Sequence, residues 1–280
     1  MRPRSLCLVL VVSLGSACSS KGTGEGAYAT EPRVVTLVQP GAEPRRALAY
    51  AFSQPRREAA VSLDVGTPEM SSISLRGTLV WARTKQAADR VDHAFRFRDV
   101  TGRRDPTMGD SEWSVVKGIY SGFEAVTGIA HVARGGAVTF EQTGGLPTTP
   151  SWLAMLHVAL TPFPTEAVGT GARWRSQQPI KSADGTPGID EREYELVSID
   201  GDRLELRVTG RTTYQPASGT ESNQDLKLVE ATLALSGDLE LTLDDALPRS
   251  AAFELRPHLR FEPSHAMPES VGLVRFAIGR

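Results

Sequence analysis

The 280-residue sequence is poor in the residues from which catalytic and metal centres are built. It has two cysteines, Cys7 and Cys18, so one internal disulfide at most. Its histidines, His93, His131, His157, His258 and His265, stand apart, with none of the H-x-x-x-H spacing that sets two ligands on one helix face. His93 and His157 lie on apolar runs and read as hydrogen-bonded core residues. Aromatic residues are 6% of the chain and the net charge is −2, which fits neither the girdles of a membrane β-barrel nor the basic balance of a nucleic-acid binder. "GIYSG" at Gly118 to Gly122 puts Ser121 one place late for the G-x-S-x-G elbow of a serine hydrolase. Asp184, Asp190, Asp200 and Asp202 stand near glycines and read as turn acids, while Asp244 and Asp245 read as solvated carboxylates at a strand end. Arg45-Arg46, Arg56-Arg57 and Arg103-Arg104 read as solvated loop charges. These absences leave no expected catalytic residue, metal or cofactor.

What is present begins with "LVLVVSLGSACSS", Leu8 to Ser20, behind the positive Arg2 and Arg4. The apolar run from Leu6 to Leu14 is far shorter than the roughly 20 residues a helix needs to cross a bilayer, and suits a cleaved export signal. Gly15, Ser16, Ala17 and then Cys18 resemble the end of a bacterial lipoprotein signal, although Leu14 stands one place before the usual leucine. An ordinary secretory cut before Cys18 would leave one unpaired thiol in an oxidising compartment; acylation removes that difficulty. The resemblance implies a signal peptide over residues 1–17 and lipidation at Cys18, with acyl chains contributing about 0.8 kcal/mol per buried methylene. Because Ser19 rather than Asp follows, it also implies an outer-membrane lipoprotein facing the periplasm or the surface. Loss of Arg2 and Arg4 would leave 29 basic residues against 33 acidic ones. Residues 18–32, rich in Gly, Ser and Thr without an apolar period, read as a tether.

Residues 33–280 read as one β-rich domain. In "EREYELVSIDGDRLELRVTG" the apolar Tyr194, Leu196, Leu204, Leu206 and Val208 alternate with charges about Asp200-Gly201, which predicts a β-hairpin. A second hairpin is expected about Ser236-Gly237 in "ATLALSGDLELTLDD", and a third about Gly135-Gly136. Strands are also expected around Leu48, Tyr50 and Phe52, around Val61 to Val65, around Ile73 to Trp81, and around Val91 to Phe97. One helix is expected over 150–160: Pro150 suits its first turn, Thr161-Pro162 stops it, and from Trp152 to Leu160 only His157 is polar. It should be buried. The expected fold class is mainly β: a large curved antiparallel sheet or open half-barrel with this short apolar helix packed across it. The shared layout of the Gly135-Gly136 and Ser236-Gly237 stretches suggests two duplicated meanders, 33–145 and 165–280.

"LTPFP", then "VGTGARW", then "YELVSIDGDRLELRVTG", together resemble a family of uncharacterised bacterial lipoproteins that share a Pro, Val-x-x-Gly, Trp crossing. The resemblance spans roughly Leu146 to Leu255 and implies an exported antiparallel β protein, without naming a catalytic residue. The architecture is also distantly similar to periplasmic lipoprotein carriers, an analogy of fold alone. Two roles are therefore expected, each with the membrane as a partner through the N-terminal lipid and neither involving nucleic acid. One is a non-enzymatic structural or protein-binding envelope protein, in which the aromatic residues fill a core. The other is a carrier or sensor whose cavity for a lipid or other apolar ligand is lined by Trp81, Phe95, Phe97, Trp152, Met155 and Leu156, with Tyr50 and Phe52 beside them.

Overall fold

A computed structural model describes residues 33–67, 70–106, 108–144, 156–181, 187–214, 227–262, 270–271 and 273–279. They form one antiparallel sheet from β1 (Val34–Gln39), β2 (Arg56–Thr67), β3 (Met70–Gln86), β4 (Arg90–Arg103), β5 (Thr127–Ala133), β6 (Val138–Gly144), β7 (Arg173–Lys181), β8 (Pro187–Asp200), β9 (Arg203–Tyr214), β10 (Lys227–Thr242), β11 (Ser250–Glu262), β12 (Ser270–Val271) and β13 (Leu273–Gly279). The order is β1-β7-β8-β9-β10-β11-β13-β2-β3-β4-β5-β6, with β12 paired to β11. Two five-stranded meanders, β2 to β6 and β7 to β11, thus lie side by side with β13 stitched between them. The sheet is not closed into a barrel.

Period-two patterning builds most of this. Leu196 pairs with Leu206 and Asp200 with Arg203, so β8 and β9 form the expected hairpin with Gly201-Asp202 as its loop, one residue beyond the expected centre. Gly201 takes the positive φ of 54° that the loop needs. The turn expected at Ser236-Gly237 does not exist. β10 runs straight through it, and Leu233, Leu235, Leu239 and Leu241 share one uninterrupted parity, which a turn would have broken. A Cβ at residue 237 would stand 2.5 Å from the Phe253 ring and 2.3 Å from the Ala252 carbonyl, so the glycine marks close packing within a strand. Gly135-Gly136 does turn, between β5 and β6. The likeness that suggested a duplication therefore falls, although two meanders are present.

Leu48, Tyr50 and Phe52 are buried as their alternation requires, but they join no strand. Their segment lies over one rim of the core, with Ala49, Ala51 and Ser53 exposed, Tyr50 N–H donating to the Arg134 carbonyl and Ala51 N–H to that of Leu243. The helix α1 (Asp110–Glu124) was not expected; Gly118, Gly122 and β-branched Val115, Val116 and Ile119 lower its intrinsic propensity. Residues 156–159 are helical and Leu156 to Leu160 are all buried, as an apolar helix without a wet face should be; 150–155 lie outside the described residues. Among the described residues no helix is long and apolar enough to cross a membrane.

The two edge strands approach the same helical turn. His157 lies 2.9 Å from the guanidinium of Arg33, just before β1, and its ring is 6.2 Å from that of Phe140 in β6. The sheet therefore curls until its open edges are bridged by 156–163. That segment is tied inward by Tyr50 Oη to the Thr161 carbonyl (3.2 Å) and by Trp174 Nε1 to the Pro162 carbonyl (2.8 Å).

Candidate functional site

Of the residues expected to line a ligand cavity, Trp81, Phe95, Phe97 and Leu156 are each 2% exposed or less; Trp152, Met155 and the lipidation residue Cys18 lie outside the described residues. Odd-numbered positions from Ile73 to Trp81 in β3 and from Val91 to Phe97 in β4 face inward, which brings the aromatic members together. Trp81 stacks on His93 with ring centres 4.8 Å apart and planes at 20°, and Phe95 lies 6.5 Å from Trp81 and edge-on to Phe140 at 5.8 Å. Leu156 joins the same core from the bridging turn. These side chains fill space against one another. A groove of about 580 Å³ lies instead on the outer face, lined by outward residues such as Ser62, Asp64, Arg207, Ser236 and Asp238.

The second meander holds a buried polar cluster that the sequence reading missed. Asp190, read as a turn acid, is in β8 and 3% exposed. It shares the inward parity of Arg192, Tyr194 and Leu196, a signal that was legible once the hairpin had been placed. Cross-strand register aligns Gln178, Asp190 and Thr212 in one row and Ser176, Arg192 and Gly210 in the next. A Cβ at residue 210 would come within 3.0 Å of Arg192 Cγ, so the glycine leaves room for that side chain. Asp190 Oδ2 accepts from Arg192 at 2.7 Å and Arg33 at 3.2 Å, and its Oδ1 accepts from Thr212 at 3.0 Å. Arg33 also donates to Gln178 and Ser176, both at 3.1 Å, and Arg192 donates to the His157 carbonyl at 2.8 Å. Burial first, then the charges of Arg33 and Arg192, hold the His157 ring well below the usual imidazole range, so it is neutral at pH 7.

Asp245, expected to be solvated, is buried. Burial raises its carboxyl to about 6, against the opposing pull of the Leu247 N–H and the Arg57 guanidinium 3.8 Å away. Arg57 is accordingly not a solvated loop charge: it is half-buried and donates to the carbonyls of Leu247 and Pro248. Arg46 and Arg104 likewise tie loops, through the Gly201 and Met108 carbonyls. On the outer face His131 bridges neighbouring strands, with Nδ1 2.7 Å from Asp92 and Nε2 3.7 Å from Glu141. These carboxylates meet opposite sides of one ring and do not converge, and no group of three metal-binding side chains occurs among the described residues.

No family model matches this sequence, and neither a curated protein nor a solved structure does.

Proposed function

We propose that this chain is a lipid-anchored lipoprotein of the cell envelope, held at the outer membrane through Cys18, with a non-enzymatic structural or protein-binding role. The observation that carries the role is the close packing of inward side chains among the described residues. The side chains best suited to line an apolar cavity pack on one another and on the 156–163 bridge, which favours a core over a carrier's cavity. What remains for recognition is the outer face, where Val34, Val38, Ile189 and Val197 stand exposed on β1 and β8. The carrier reading would require the bridge to lift from the core. Expressed with its own leader in a Gram-negative host, Cys18→Ser should release the protein from the membrane fraction into the soluble periplasmic fraction; retention in the membrane would refute lipidation as the anchor.

A further inference from the structure

Trp81 and His93 are both 1% exposed, yet Trp81 Nε1 and both ring nitrogens of His93 have no hydrogen-bond partner among the described residues. The two rings cannot satisfy each other. Their N–H bonds lie in the ring planes, and those planes are stacked nearly parallel. The neighbouring rings, Phe52 at 5.8 Å from His93 and Phe95 at 6.5 Å from Trp81, bring no acceptor oxygen. Arg83, across the strand pair from His93, directs its guanidinium to the Phe52 carbonyl and to Gln86. Buried donors are almost always paired, because an unpaired one forfeits its hydration with no return.

We propose that Trp81 and His93 form an internal site for one neutral hydroxyl oxygen, which accepts from the indole N–H and bonds to an imidazole nitrogen. The stacked rings, with centres 4.8 Å apart, keep the two unpaired groups close together in the core. A hydroxyl fits His93 because burial, then the Arg83 charge, lower the imidazole to about 4, so that at pH 7 it has one donor and one acceptor and no charge to attract an anion. The same chemistry is offered by an internal water and by the hydroxyl of a bound apolar alcohol. Buried waters at such polar pairs are ordinary parts of a fold. This inference stands on the interior alone and is independent of the anchor.

The test is nuclear magnetic resonance on ¹⁵N-labelled, folded Cys18→Ser protein, with the Trp81 indole signal identified by its loss in Trp81→Phe or, should that variant not fold, by its through-space contact with the Phe95 ring. A cross-peak from the indole N–H to a long-lived water supports the site with water as occupant. Cross-peaks to non-protein aliphatic protons, with one neutral alcohol per chain in the native mass, support it with the alcohol as occupant and overturn the filled-core reading proposed above. An indole N–H showing neither cross-peak overturns the proposal.

Discussion

Two histidines are buried inside this sheet, one in each meander's share of the core, and their surroundings differ in every respect but burial. His157 is held by Arg33 and Arg192, which are in turn neutralised by Asp190. His93 rests on Trp81 with no protein hydrogen bond among the described residues. In sequence both look alike, single polar residues on apolar runs. What separates them is register: the polar inward positions of β7, β8 and β9 fall at the same end of the three strands and meet His157, whereas β3 and β4 present aromatic rings around His93. A buried polar residue is thus defined by partners distant in the chain.

The largest expected effect breaks the networked side of that comparison. Asp190→Ala leaves two buried guanidiniums without their shared carboxylate, and should lower unfolding stability in urea by about 3–5 kcal/mol. A loss below about 1 kcal/mol would mean that the cluster is not a structural unit. In the apolar core beside the network, Leu156→Ala should cost about 2–5 kcal/mol if the residue fills a core, and far less if it lines a cavity already open to solvent or ligand.

Asp245 sharpens the comparison through pH. A carboxyl raised to about 6 when folded takes up protons on folding, so its contribution to stability falls as pH rises from about 4 to 6. The two histidines act oppositely. Their imidazoles are lowered on folding, so stability falls as pH drops below 6.5, for His93 until about 4. Asp245→Asn should therefore gain about 1–3 kcal/mol at pH 7.5 and lose stability more steeply than wild type between pH 6.5 and 4, as read from thermal midpoints across that range. Parallel profiles for the two proteins would remove Asp245 from the account. The smallest effect belongs to the outer face. Arg175 and Glu193 pair at 2.9 Å in solvent, and Arg175→Ala should change urea stability by less than about 1 kcal/mol.

Alternation alone made the β8–β9 and β5–β6 hairpins, the inward aromatic residues of β3 and β4, and the buried 156–160 segment legible. It failed where a glycine had two meanings. Gly201 turns the chain, while Gly237 admits the Phe253 ring within a strand, and only the unbroken parity of the flanking leucines distinguishes the second case. The Tyr50 segment shows the opposite failure, alternation without a ladder, because a chain laid over the rim of a core can bury every second side chain just as a strand does. Of the polar residues, Asp190 and Arg192 could have been placed by extending the parity of Tyr194. Arg33 could not, since its position at the seam follows from the pairing of β1 with β7, far away in sequence.

The central claim is that the interior is a core and carries no lipid. Native mass spectrometry of exported Cys18→Ser protein, purified without detergent, tests it most directly. The account predicts the mass of the bare polypeptide; one lipid or other acyl species retained per chain would contradict it.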